Sequence, residues 1–158
     1  MRAWWQAARK LRGVVAGGNY FHRERGGFVV STDPSALDAH AVFEFLEQAR
    51  WWNDLTHESL DRALQNSLCF SLLEEGRQIG LARVITDRVT FAYLCDVFII
   101  EDRRGQGLGK WLVCCVLDHP DVRELKRVAL ITHDVQSFYL KLDFRYAPCP
   151  EYYMERLR

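Results

Sequence analysis

The chain has 158 residues, 49% of them apolar, which suits one packed domain. Lysine plus arginine and aspartate plus glutamate each total 21, so a net charge of +0 excludes a uniform field drawing the protein to nucleic acid, an anionic membrane or an acidic partner. The five cysteines (Cys69, Cys95, Cys114, Cys115, Cys149) lack C-x-x-C spacing, which argues against structural zinc and for a reducing cytoplasm, and no apolar run approaches the ~18 residues that cross a bilayer.

Residues 1–26 stand apart. Arg2, Arg9, Lys10, Arg12, Arg23 and Arg25 face only Glu24, and "GVVAGG" is too short for the apolar core of a signal peptide. The segment reads as a basic extension in front of a domain spanning 27–158, with a partner-binding or membrane-surface helix as the alternative.

From Gly27 the pattern is regular. "GGFVVSTDP" predicts a short strand stopped by Asp33-Pro34. A helix follows in "SALDAHAVFEFLEQARWW", with Ser35 as its N-cap and Leu37, Ala41, Phe45 and Leu46 at helical spacing. Thr56 caps a second helix, "HESLDRALQNS". "SLCFSLLEEGRQIGLARVITD" then reads as a hairpin turning at Gly76, and "VTFAYLCDVFII" as a central strand buried on both faces. "GLGKWLVCCVLDH" predicts a buried helix ending at His119-Pro120, "RVALITH" a buried strand and "VQSFYLKL" a short helix; "FRYAP" and "YMERLR" are candidate closing strands. The order defines a mixed α/β (α+β) domain with a sheet of about six to seven strands.

Between the central strand and the buried helix lies "RRGQGLGK". Three glycine-loop chemistries compete for it. A Walker A loop fails because Arg104 stands where its first glycine belongs and Trp111 follows Lys110 in place of a magnesium-binding hydroxyl. A dinucleotide fingerprint is a weak match because its third glycine would be Lys110. The run itself suits a pyrophosphate. Glycines let successive backbone N–H groups converge, a helix N-terminus adds its dipole, and Arg103, Arg104 or Lys110 neutralises peripheral charge.

Arg104-x-x-Gly107-x-Gly109, with Ile99 at the apolar position before it, resembles the acetyl-coenzyme A signature of the GNAT superfamily of N-acetyltransferases. "SFYLKLDF" is similar to that family's later tyrosine-containing helix, with Asp143 where the family usually has glycine. The resemblance covers residues 27–158 and implies the GNAT fold, an acetyl-CoA co-substrate, no metal, and direct N-acetyl transfer without a cysteine nucleophile. It implies Val97, Phe98 and Ile99 as backbone partners of pantetheine, and Arg103, Arg104, Gly105, Gln106, Gly107, Leu108, Gly109 and Lys110 as the pyrophosphate loop. Asp134 stands where an asparagine often contacts pantetheine. Tyr139 matches the tyrosine that serves the departing thiolate.

For the general base, Asp96 is the one ionisable carboxylate in its apolar strand; the alternative is a structural carboxylate held by backbone or by a basic side chain. The acceptor cleft falls on "ARWWNDLTHE", where Trp51 and Trp52 offer stacking faces and Asp54 a carboxylate for an ammonium; core and capping roles are the alternative. The expected acceptor is a primary amine of a small molecule or a protein, with no nucleic-acid partner and a possible homodimer. A non-catalytic acyl-CoA-binding regulatory domain is the rival.

Overall fold

A computed structural model describes residues 20–49, 52 and 54–156. Expectations for residues 1–19 and for Trp51 lie outside the described residues. Among the described residues, six strands form one sheet in sequential order: β1 (His22–Arg25), β2 (Phe28–Ser31), β3 (Leu68–Glu74), β4 (Arg77–Thr86), β5 (Phe91–Ile99) and β6 (Arg127–Ala129). All neighbouring pairs are antiparallel except β5 with β6.

β1 lies inside the segment expected as an extension. All four of its side chains are exposed, so it carries no alternating pattern. Its signal is the turn: Gly26 and Gly27 have φ of +55° and +85°, the two left-handed residues that a tight hairpin requires. At the open end, Phe21 N–H donates to Thr32 Oγ1 at 3.0 Å and Thr32 N–H to the Phe21 carbonyl at 3.1 Å.

Helices α1 (Ala39–Leu46) and α2 (His57–Gln65) cover one face. Ser35 is not the cap of α1. It lies in a 3-10 turn over Pro34–Ala36, and the helix starts after Asp38, whose Oδ1 accepts from His40 N–H and Ala41 N–H, each at 3.1 Å. Thr56 caps α2 as expected: its Oγ1 accepts from Ser59 N–H at 3.1 Å while Ser59 Oγ accepts from Thr56 N–H at 3.0 Å. Val42, Leu46, Leu60 and Leu64 close this side against Leu81 and Phe98 of the sheet.

The opposite face carries α3 (Leu108–Leu117), α4 (Pro120–Arg123) and α5 (Gln136–Leu140). Leu112, Val113 and Val116 pack here with Phe70, Leu72, Val84 and Leu94 into the larger core. The chain between α3 and α4 reverses at His119, whose Nδ1 accepts from Asp121 N–H at 3.1 Å ahead of Pro120.

Three further expectations are corrected. β5 is not buried on both faces: Phe91 is exposed, and Tyr93, Cys95 and Val97 are half-buried, alternating with buried neighbours. "RVALITH" contributes only three paired residues, Phe91↔Arg127, Ala92↔Val128 and Tyr93↔Ala129. "FRYAP" and "YMERLR" form no strand among the described residues; Pro148 and Pro150 remove ladder donors there, and the chain makes a 3-10 turn over Pro150–Tyr152.

Candidate active site

The short β5–β6 pairing defines the site. After Tyr93 the two strands part, and Leu94 to Ile99 have no partner from β6. The far side of this stretch is held by β4, through Leu81↔Phe98 and Gly80↔Ile99. Val97, Phe98 and Ile99 therefore lie on the arm of the fork that β6 leaves open, where the family resemblance implies pantetheine.

A bulge sits at the root of the fork. Leu81 pairs with Phe98 and Arg83 with Cys95, so Ala82 alone faces both Asp96 and Val97. Asp96 has φ of +48°, a left-handed conformation that few non-glycine residues adopt, asparagine and aspartate most often among them. The extra residue switches faces: Ala92 and Leu94 belong to the larger core before it, whereas Phe98 beyond it joins the α1–α2 core and stacks on Phe45 at 3.8 Å between centroids.

At the open end of β5, a 3-10 turn over Glu101–Arg103 leads into the glycine loop. Arg104 Nε donates to the Ile99 carbonyl at 3.0 Å, and Arg103 Nε meets Glu74 Oε2 at 2.7 Å, so both arginines brace the loop. Gly105 and Gly107 have φ of +76° and +75°, which L side chains rarely adopt. Gly107 is the N-cap of α3, with no side-chain cap, so the first turn presents its backbone N–H groups. Gln106 and Lys110 are exposed, while Leu108 is buried and anchors the helix. Gly109 differs from its neighbours: a Cβ there would meet Ile99 Cγ1 at 3.7 Å and Phe138 Cζ at 3.8 Å, ordinary contacts.

Those contacts show α5 packed on the first turn of α3. Tyr139 follows Phe138 and shares the core that holds Ile99 and Leu108. Its ring meets Phe138 and Phe144 edge-on at 4.9 and 5.6 Å, and burial pushes the phenol up to about 12. Its hydroxyl makes no hydrogen bond to a described residue. Asp143, in the family's glycine position, is left-handed at φ +63°, and Phe144 N–H reaches back to the Tyr139 carbonyl at 3.2 Å to end the helix. Asp134 is exposed in the segment between β6 and α5.

On the opposite face, Asp96 is only 6% exposed. Arg83 Nε donates to its Oδ2 at 2.5 Å and Trp52 Nε1 to its Oδ1 at 2.9 Å. Both carboxylate oxygens are thus engaged, the geometry of the structural alternative rather than of a lone base. Trp52 spends its indole N–H on this contact, and Asp54 is exposed in a left-handed turn at φ +56°. Arg83 was not singled out as a site residue. Its signal is a single guanidinium inside "IGLARVIT", a charge that burial obliges to find a partner.

Burial raises Cys69 to about 11, Cys95 to about 12 and Cys115 to about 11, leaving these thiols protonated at neutral pH. Among the described residues no cluster suits a metal ion, and no helix is long and apolar enough to cross a membrane.

The "Acetyltransferase (GNAT) family" matches residues 22–144. A Gibberella zeae protein named as an acetyltransferase is 36% identical over 138 residues, covering 74% of this chain and 78% of that one. A Xanthomonas campestris crystal structure, described as belonging to the same family, is 39% identical with a TM-score of 0.81, covering 85% of this chain and 96% of that one. A family member from Elizabethkingia anophelis solved with acetyl-CoA bound shares the fold at a TM-score of 0.54 and 14% identity, covering 75% of this chain and 74% of that one. The chain belongs to the GNAT family and is an acetyltransferase. The N-acetyltransferase class follows from that family, which uses acetyl-CoA.

Proposed function

We propose that the protein transfers acetyl from acetyl-CoA directly to a primary amine of a small molecule or a protein. The observation that carries this reading is the fork: a β5 arm open on its β6 side leads into a glycine loop and a helix N-terminus without a side-chain cap, so backbone donors are available at both the acyl and the pyrophosphate ends of one donor. Left-handed Gly105 and Gly107, with nothing within 4 Å of a Cβ, fit the close approach of a pyrophosphate.

In this reading, Val97, Phe98 and Ile99 align the pantetheine through their backbone. Gly105 to Lys110 receive the pyrophosphate, with Arg103 and Arg104 bracing the loop and Asp134 flanking the arm. A backbone N–H of the β5 arm polarises the acyl carbonyl as the amine attacks in its free-base form. The C–N bond forms, the C–S bond breaks, and the proton lost by nitrogen balances the proton gained by sulfur. Tyr139 serves the departing thiolate. With its phenol near 12 and an ordinary thiol near ~8.5, hydrogen bonding to sulfur is favoured over complete proton donation. The raised cysteines favour direct transfer over an acyl-enzyme.

The acceptor enters from the α1–α2 side, where Trp52 reaches Asp96 of the bulge, and the reading keeps Trp51 and Asp54 as its further acceptor residues. The same reading assigns the enzyme to the reducing cytoplasm, in line with its free cysteines, and allows a homodimer. Calorimetric titration with acetyl-CoA and desulfo-coenzyme A, followed by thiol release across a panel of amines, tests it. Binding with release on an amine is expected. Binding without release across the panel favours the regulatory domain, and no binding overturns the donor site.

A further inference from the structure

The bulge residue is held through its side chain. Asp96 is left-handed at φ +48°, and its carboxylate receives Trp52 Nε1 on one oxygen and Arg83 Nε on the other. Arg83 in turn donates through Nη1 to Ser67 Oγ at 3.0 Å, and Ser67 donates to the Ala63 carbonyl near the end of α2 at 2.7 Å. The Arg83 and Asp96 side chains are 9% and 3% exposed. This hydrogen-bonded chain ties the α1–α2 junction, the bulge and the end of α2 together.

A buried ion pair is weak evidence of stabilisation, because desolvating both charges offsets much of their attraction. Its better-supported use is to select one conformation. Here the conformation selected is a strained residue at the root of the fork. If the strand were regular at Asp96, Val97 would exchange faces with Phe98, and the backbone groups of the β5 arm would turn with them.

We propose that Arg83 and Trp52 are positioning residues for acetyl transfer: acting through Asp96, they hold the bulge that aims the Val97–Ile99 backbone and register the acceptor-side loop over it. This inference rests on the transferase reading and deepens it. Neither residue belongs to the glycine loop or to the Val97–Ile99 stretch proposed to hold the donor. Their effect passes through Asp96 to backbone N–H groups, so it falls on turnover more than on coenzyme binding, which the glycine loop supplies on the far side of the sheet.

Two variants test it. Trp52→Phe keeps the ring and removes only the donated N–H; Arg83→Lys keeps the charge and removes the fork geometry. Hydrogen exchange at Val97–Ile99 is compared with Leu112–Val116 of α3 as an internal reference. Alongside it, acetyl-CoA affinity is measured by calorimetry and kcat by thiol release with the best amine of the panel. The expected result for Trp52→Phe is exchange at Val97–Ile99 about tenfold faster with α3 unchanged, kcat reduced about tenfold, and acetyl-CoA affinity within about threefold of wild type. Unchanged exchange at Val97–Ile99, or exchange that rises equally in α3, overturns the proposal, as does unchanged kcat. If the wild type releases thiol with no amine, the transferase reading fails, and the exchange comparison by itself still decides whether the lock exists. If Arg83→Lys does not fold, Trp52→Phe carries the test.

Discussion

A Cβ placed on Gly80 would lie 2.7 Å from the Phe98 carbonyl oxygen and 2.8 Å from Ile99 Cδ1. Glycine at this point of β4 therefore lets the arm of the fork lie close against β4. Because the obstructing atom is backbone, Gly80→Ala must displace Phe98 itself. The expected cost is about 1–3 kcal/mol of stability from overpacking, with acetyl-CoA binding weakened at least about tenfold because the displaced residues are the proposed pantetheine partners. Thermal denaturation and calorimetry measure the two effects; unchanged affinity would remove the β5 arm from the donor site.

Gly107 and Gly109 are expected to respond differently to alanine. At Gly107 the φ of +75° makes any side chain costly, about 1–2 kcal/mol, so Gly107→Ala lowers the melting temperature and the affinity for acetyl-CoA together. At Gly109 the protein has room for a methyl group, at 3.7 Å from its nearest neighbour outside the adjoining residues. Gly109→Ala should melt near the wild type and still lose donor affinity, because only the donor needs that space. Equal affinity in Gly109→Ala and wild type would exclude close approach at this glycine.

Tyr139→Phe separates chemistry from packing. The ring contacts with Phe138 and Phe144 remain, and the hydroxyl leaves no described partner unpaired, so stability changes little. The predicted loss is about 10- to 100-fold in kcat at unchanged acetyl-CoA affinity. With the phenol pushed up to about 12, no alkaline limb belonging to Tyr139 appears in the pH–rate profile below about pH 11. Full turnover in Tyr139→Phe would return this residue to the core.

His119 makes stability depend on pH. Burial lowers its pKa in the folded state, and its Nδ1 is occupied as the acceptor that caps α4. The unfolded chain binds its proton near ~6.5, more readily than the folded chain. Its contribution is therefore complete above about pH 6.5 and lost as pH falls through the lower folded value. Asp121 opposes the shift and Arg88 reinforces it. His119→Asn keeps an acceptor for Asp121 N–H but cannot gain the proton. Melting curves from pH 7 to pH 5 should fall less steeply for the variant than for the wild type; parallel curves would show that His119 does not contribute to acid sensitivity.

What the sequence determined is whatever depends on neighbours along the chain. The Thr56 cap, the Glu75-Gly76 hairpin, the switch from the period of β5 to that of α3, and the spacing Arg104, Gly107, Gly109 all follow from local geometry and were legible as such. The same locality explains the misses. Ser35 and Asp38 are both competent caps, and the Pro34 turn decided between them. β1 has no apolar alternation because both of its faces are exposed, so only its pairing with β2 makes it a strand.

Tertiary structure alone decided where β6 stops pairing, and hence that a fork exists, because a ladder is a property of two strands. It also decided which side chains surround Asp96. An aspartate in an apolar run reads equally as a base or as one half of an ion pair until Arg83, 13 positions earlier, and Trp52, 44 positions earlier, are brought onto its oxygens. Chemistry carried by backbone was visible through the glycines that permit it; chemistry carried by a buried charge was not, because the fold chooses its partner.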